Sequence, residues 1–222
     1  MLDFYYHPSS PPSRAVQIFL KLTHIEHTAH AVNLMGGEQK TAEFLAMNSV
    51  GQVPVIKDGD YVLAEGQAIL AYLHASRQCR DDLYPADAKK RGLVDRHLHW
   101  YHTNIRLGGL LFRKTIIDPM RGVVVTPESL EETKATLKQS LQQMEGWLGT
   151  QAYMAGETLT IADLATHAYC VQVRAIGYDF APYPRVTAWM DTINAMPEVR
   201  EVNQVFLGEI VAQMRQKLHQ QE

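Results

Sequence analysis

Hydrophobic positions in the first third of the chain switch between two periods. Residues 2–6 form a short apolar run of strand length, and His7-Pro8-Ser9-Ser10-Pro11-Pro12 interrupts it with turn and cap residues. Beyond that break Ala15, Ile18, Phe19 and Leu22 recur at helical spacing, predicting a helix over about residues 11–22. A second strand is predicted over residues 28–32, followed by the flexible Met35-Gly36-Gly37. Val53-Pro54-Val55-Ile56, Asp58-Gly59 and Tyr61-Val62-Leu63 read as two strands joined by a tight hairpin, with Asp-Gly supplying positive φ angles. Ala68, Ile69, Tyr72 and Leu73 then mark an amphipathic helix ending near Gln78. The order is βαβ, an irregular helical piece, then ββα, which predicts a small mixed sheet covered by helices.

The pattern changes after that point. Residues 79–88 are polar and contain Pro85, as a linker would, and residues 89–222 read as helical throughout. Val94, Leu98, Tyr101 and Ile105 share one face of a long helix; Leu130, Leu137, Leu141, Met144 and Leu148 share another, started by Thr126-Pro127-Glu128. Thr160-Ile161-Ala162-Asp163 has capping-box form, with Leu159 and Leu164 spaced as a hydrophobic staple. Further helices are expected after Tyr183-Pro184 and after Pro197. The expected fold is therefore an α/β domain over residues 1–78, resembling a thioredoxin-like domain, followed by an all-α domain. Leu130, Leu137 and Met144 also fit a heptad, but the pattern is too short for a coiled coil, so a core-facing helix is expected.

Composition narrows the function. Lys and Arg number 21 against 24 Asp and Glu, and a net charge of -3 gives no electrostatic reason to expect nucleic acid or an anionic membrane as partner. Two distant cysteines, Cys79 and Cys170, predict no disulfide framework and suit a reducing compartment. Without a signal-like N-terminus or an apolar run of spanning length, a cytoplasmic protein is expected. His24, His27 and His30 fall across a predicted loop and strand with no completing ligand, so no metal is expected there. His97, His99 and His102 share a helix but point in different directions and read as solvated or packing residues. No phosphate loop or nucleophile elbow is present.

Three local features make sense together as a peptide-thiol site. Ser9-Ser10-Pro11-Pro12-Ser13-Arg14 stands at the start of the first helix, where backbone dipoles favour a thiolate. Lowering a thiol from pKa ~8.5 to about 7 needs roughly 2 kcal/mol of preference for the anion, within reach of one charge-assisted hydrogen bond plus a helix end. Pro11 and Pro12 lack N–H groups, which shifts that task onto a hydroxyl. With Ser10 as the N-cap, its oxygen accepts from the Ser13 amide while its proton faces the thiolate; on this motif alone a simple cap is the more ordinary reading, because Ser-Pro is a common helix start. In Gln52-Val53-Pro54, a cis proline would expose the backbone of Val53 for pairing with an extended peptide, although an ordinary edge-strand proline also fits. In Ala64-Glu65-Gly66-Gln67-Ala68-Ile69 a turn enters a helix: its amides suit a carboxylate and Glu65 an ammonium, or Glu65 is merely a favourable first-turn charge.

In this order the motifs resemble the theta class of the glutathione S-transferases. Ser10-Pro11-Pro12-Ser13-Arg14-Ala15-Val16 is similar to the family's serine-containing start of helix one, and Val53-Pro54-Val55-Ile56-Lys57-Asp58-Gly59 and Glu65-Gly66-Gln67-Ala68-Ile69-Leu70 to its two glutathione motifs. Trp100-Tyr101-His102-Thr103-Asn104-Ile105-Arg106 and Leu159-Thr160-Ile161-Ala162-Asp163 extend the resemblance along the chain. The resemblance implies a glutathione transferase in which Ser10 activates the thiol of glutathione, a co-substrate rather than a bound cofactor, for attack on a small electrophile. It implies that Val53 pairs with the cysteinyl backbone, with Pro54 cis. Glu65 and the amides of Gly66 and Gln67 would hold the γ-glutamyl group, Gln39 and Gln52 would lie near the glycyl end, and Arg106, Leu110 and Phe206 would line the electrophile pocket. It also implies a homodimer. Where the family usually has serine after the glutamate this chain has Gly66, so backbone amides are expected to suffice there. Two other functions fit the same fold: a binding or assembly protein without turnover, and a glutathione-dependent dehalogenase, isomerase or peroxidase. Joint retention of Ser10, Val53-Pro54 and Glu65 argues against the first, because an assembly module needs none of them.

Overall fold

The computed structural model describes residues 1–219. Four strands, β1 (Leu2–Tyr6), β2 (Thr28–Ala31), β3 (Val55–Asp58) and β4 (Tyr61–Ala64), form one mixed sheet in the order β2-β1-β3-β4. β1 is parallel to β2, with Phe4 opposite Ala29, and antiparallel to β3, with Phe4 opposite Ile56. Helix α1 (Pro11–Leu22) supplies the crossover between the parallel strands, α2 (Ala42–Met47) follows β2, and α3 (Gly66–Ser76) follows the hairpin. Leu2, Phe4 and Ile56 bury one face of the sheet in the core shared with α1 and α3; Val32, Phe44 and Val55 form a smaller core that includes α2.

The hairpin differs from its sequence reading. β3 extends to Asp58, which pairs with Tyr61 in the ladder, so the turn residues are Gly59 and Asp60 and only Gly59 has positive φ, 61°. Asp58 stays in the strand because its carboxylate accepts from the Tyr72 hydroxyl at 2.8 Å and Arg77 Nη2 at 2.7 Å. Val53 and Pro54 consequently precede the strand rather than open it.

The helical part comprises α4 (Ala88–Thr103), α5 (Leu107–Phe112), α6 (Asp118–Met120), α7 (Pro127–Trp147), α8 (Ile161–Ala175), α9 (Pro184–Asn194), α10 (Pro197–Gln204) and α11 (Val211–His219). A π-helical turn, Arg113–Ile117, joins α5 to α6, and another, Val205–Ile210, joins α10 to α11. Helix α4 stops before Ile105, which is buried in the connection to α5. Thr126 caps α7 by accepting from the Ser129 amide at 3.2 Å, and Leu137, Leu141 and Met144 face the core as their spacing requires.

Helix α8 is buried on nearly all sides, which makes it the axle of the helical part. Its start is fixed by Asp163, wholly buried, whose carboxylate accepts from Thr160 N (2.9 Å), Thr160 Oγ1 (2.8 Å), Met154 N (2.8 Å) and Trp189 Nε1 (3.0 Å). Four donors converging on one carboxylate tie together α8, the preceding loop and α9. Removing the acceptor leaves these donors buried and unpaired, at a cost of about 3 kcal/mol or more. Asp163→Ala is expected to lower the stability to chemical denaturation by that amount, and Asp163→Asn to give little rescue, because its amide sets a donor against other donors. Wild-type stability in both variants would contradict this account of the helix start.

Candidate active site

The Ser10 side chain sits where β1 hands over to α1. Its oxygen accepts from the Ser13 amide at 3.4 Å, as an N-cap does, and its hydroxyl donates to Val53 O at 3.4 Å. Both bonds are long, so the proton is held loosely and can turn to a better acceptor. Neighbouring Ser9 is committed elsewhere. His7 Nδ1 accepts from the Ser9 amide at 3.1 Å and lies 2.6 Å from Ser9 Oγ, while burial lowers the imidazole pKa and keeps the ring neutral. The two adjacent serines are thereby distinguished: Ser9 is tied to the imidazole and Ser10 faces Val53.

The Val53-Pro54 peptide bond is cis, and among the described residues the Val53 N–H has no acceptor. The loop before it is shaped by Asn48, whose Nδ2 donates to Gln52 O at 2.8 Å and whose Oδ1 accepts from Val50 N at 3.1 Å. Lys40 Nζ donates to Val50 O at 3.2 Å, which brings an ammonium to the same edge. Gln39 lines the cavity there, its Nε2 bound to Leu34 O at 3.2 Å and its Oε1 buried without a partner among the described residues.

Glu65 is the residue before α3 and adopts φ 69°, ψ 110°. Positive φ in a residue with a side chain costs about 1–3 kcal/mol and persists where the surroundings demand it. The strained backbone brings the carboxylate of Glu65 and the free N-terminal amides of α3 to one recess of about 50 Å³, which also borders Pro12, Val53 and Tyr101. A Cβ at Gly66 would lie 2.9 Å from Pro12 Cβ, so α1 and α3 approach too closely here for a side chain without a shift. The Gln67 side chain is not in reserve for a ligand: its Nε2 donates to Leu98 O of α4 at 2.7 Å.

A larger cavity of about 620 Å³ opens from the recess, with Ser10 and Val53 on one wall and α4 to α6 on the other. Arg106 and Leu110 line it, as the sequence implies. Phe206 does not. It is fully buried, packed 3.8 Å from the Arg14 guanidinium and with its ring centroid 6.0 Å from that of Phe112, so it belongs to the core beneath the cavity. The reason is Arg14 itself, whose buried guanidinium lies on the Phe206 ring and has no carboxylate partner among the described residues. Arg14 also donates to Ala168 O of α8, and burial pulls its pKa down to about 9, which leaves it charged at neutral pH.

Several site residues escape sequence reasoning. His102 lines both spaces and its Nε2 lies 3.2 Å from Arg106 Nη1, although its spacing with His97 and His99 suggested a solvated residue. Tyr169 borders both spaces too, its phenol raised in pKa by burial and so uncharged; Arg106 beside it acts in the opposite direction. Gln172 donates from Nε2 to Ser9 O at 3.1 Å. Tyr169 and Gln172 stand on α8, and only the tertiary fold brings them to Ser10; no local pattern marks them. His102 was detectable as the residue one helical turn from Arg106.

Comparison with known proteins agrees with this geometry. The family model described as "Glutathione S-transferase, N-terminal domain" matches residues 1–75, and "Glutathione S-transferase, C-terminal domain" matches residues 112–197. The chain is 37% identical to human glutathione S-transferase theta-2 over 197 residues, covering 87% of this chain and 81% of that protein. It is 33% identical to glutathione S-transferase D7 of Anopheles gambiae over 220 residues, covering 97% and 98% of the two chains. Among solved structures, human theta-2 in complex with glutathione and an unknown ligand superposes with a TM-score of 0.93 at 35% identity, covering 98% of this chain and 91% of that one. A human theta-class enzyme in complex with the glutathione conjugate of 1-menaphthyl sulfate gives 0.92 at 36% identity, covering 97% and 91%. No helix among the described residues is long and apolar enough to cross a membrane. The thiol-site motifs, the sheet with its helical partner domain and these matches agree: the chain belongs to the glutathione S-transferase family and is a transferase of the theta type.

Proposed function

We propose that this transferase binds glutathione across the Val53 and α3 surfaces and that the Ser10 hydroxyl stabilises the thiolate. The observation that carries the reading is the 3.4 Å separation of Ser10 Oγ and Val53 O. An extended peptide paired with Val53 has its cysteinyl side chain next to that hydroxyl. In the free protein the Ser10 proton rests on a carbonyl; with glutathione bound it would turn to the sulfur, a stronger acceptor once ionised.

The γ-glutamyl group fits the small recess, its ammonium against Glu65 and its carboxylate against the Gly66 and Gln67 amides at the start of α3. The glycyl end runs toward Gln39 and Gln52, where Lys40 supplies a cation for its carboxylate. Residues 1–78 would thus hold the peptide, residues 79–88 would link, and residues 89–222 would provide the wall facing the electrophile through Arg106 and Leu110. The thiolate attacks the electrophilic carbon; a sulfur–carbon bond forms as the leaving group departs with its electron pair, and the thiol proton goes to solvent. The enzyme contributes position and charge stabilisation and forms no covalent bond of its own.

The assembly we infer is a homodimer, for which exposed Tyr61 on β4 and Leu93 on α4 offer apolar surface. A cytoplasmic location is supported by two unpaired cysteines, Cys79 and Cys170.

Two variants test the reading. Ser10→Ala is expected to return the bound thiol toward its ordinary pKa of ~8.5. With the folded protein intact, turnover near neutral pH should fall about tenfold or more and recover partly at alkaline pH as the thiolate forms unaided. Wild-type turnover and an unchanged pH profile would remove Ser10 from the mechanism. Gly66→Ser adds a hydroxyl at a carboxylate site, yet its Cβ would press on Pro12. Calorimetric titration is expected to show glutathione binding no tighter than in the wild type, and clearly tighter binding would contradict the close approach of α1 and α3.

A further inference from the structure

The outer wall of the large cavity carries a charge pattern that the transfer of glutathione does not require. Arg113, Ile117 and Arg121 follow one another at intervals of four, from the end of α5 to the residue after α6, and all three line the cavity. Arg106 borders both the small recess and this cavity, whereas Leu110, Arg113, Ile117 and Arg121 border the cavity alone. Among the described residues no Asp or Glu borders this cavity. The nearest carboxylate in the wall, Asp118, lies 3.4 Å from Arg113 Nε and is only 16% exposed, while Arg121 has no carboxylate partner among the described residues. Three arginines less one carboxylate leave a formal excess of two positive charges facing the cavity of a chain whose net charge is -3. Lys114, in the same turn, adds nothing to this wall: its Nζ is held by Ser129 O at 2.9 Å, Ser129 Oγ at 2.7 Å and Thr133 Oγ1 at 2.8 Å.

A concave, one-signed wall concentrates ligands of the opposite charge. The charges are also spread in depth. Seven residues separate Arg106 from Arg113, about 10 Å along a helix, and the surface between them is apolar Leu110. Ile117 then lies between Arg113 and Arg121. The π-helical turn Arg113–Ile117 inserts an extra residue per turn, and such turns often stand at functional sites.

We propose that the acceptor substrates are elongated apolar electrophiles ending in a carboxylate or similar anion, with the reacting carbon near Ser10 and the anionic end held by Arg113 and Arg121. This rests on the reading of the cavity as the electrophile site and names the substrate class for it. Arg106, which also borders the recess, belongs to the peptide end of the site rather than to the end that takes the tail. The apolar body lies across Leu110 and Ile117, and the guanidinium groups take the anion as charge-assisted, two-pronged partners.

The test compares two probes at saturating glutathione: an ω-(para-chloromethylphenyl)butanoate and its neutral primary amide. In both, the thiolate attacks the benzylic carbon and chloride leaves. The wild type should prefer the acid in kcat/KM by roughly fivefold to tenfold at low salt, the size expected of two solvent-accessible ion pairs. The preference should shrink as ionic strength rises. In the double variant Arg113→Gln, Arg121→Gln the acid-to-amide ratio should approach one; both positions are on the surface, and the ratio is internally normalised against any loss of active protein. Turnover of both probes without a charge preference in the wild type would overturn this inference alone, as would a preference that survives the double substitution. Failure of the wild type to turn over either probe would overturn the reading of the cavity as the electrophile site and this inference with it.

Discussion

The contact between α1 and α8 is the constraint on which the site depends. Arg14, one turn after Ser10, is buried against α8 and donates to Ala168 O, while Gln172, one turn further along α8, donates to Ser9 O. These two bonds fix the start of α1 in height and rotation against the most deeply buried helix of the molecule. Ser10 can face Val53 on one side and Arg106 on the other only because its helix is held at both points. A buried guanidinium without a carboxylate partner is costly. The Phe206 face and the Ala168 carbonyl offset part of that cost. On the proposed reading, the remaining positive charge lies beneath the thiol position, where its field would favour a thiolate.

The same reasoning explains why the peptide and electrophile ends of the site are built differently. In the proposed binding mode many of the recognition elements at the peptide end are backbone groups: the Val53 amide and the first amides of α3, next to the strained backbone at Glu65. Backbone groups are set by the fold and suit a co-substrate that never varies. At the electrophile end, the wall is made of side chains on short helices and a π-helical turn, where substitution changes the chemistry without moving the fold. Lys40, Arg106, Arg113 and Arg121 are all at or near the open space and carry positive charge against the sign of the whole chain.

Much of the fold was readable because its signals are local. Pro11 and Pro12 after Ser10 mark the start of α1, Thr126-Pro127 that of α7, and Pro184 and Pro197 those of α9 and α10. The hairpin turn was placed one residue early because Asp58-Gly59 satisfies the turn rule as a pair, whereas the ladder is extended by the bonds of Asp58 to Tyr72 and Arg77, which no dipeptide rule contains. In the site, Ser10, Val53 and Glu65 were readable because each lies at an element boundary with its own sequence signature. Tyr169 and Gln172 were not, since they lie within a uniformly buried helix far along the chain. Arg113 and Arg121 were hidden for a different reason: exposed arginines at helical spacing read as an ordinary solvated face, and only the fold turns that face toward the cavity. Phe206 failed in the opposite direction, because the resemblance assigned it a place in the pocket that Arg14 claims for the core.

Gly66 shows how a departure from a family pattern can be a consequence rather than a defect. Pro12 projects its ring toward α3, and the 2.9 Å left for a Cβ at position 66 excludes a serine unless the two helices move apart. Moving them apart would shift Ser10, because Pro12 is the second residue of the helix that Ser10 caps. On the proposed reading, the chain gives up one hydroxyl near the carboxylate and keeps a fixed distance between α3, which would receive the peptide, and α1, whose cap would activate its thiol. Gly66 and Pro12, far apart in sequence, have to be read as one choice, and the spacing of the two helices is what that choice preserves.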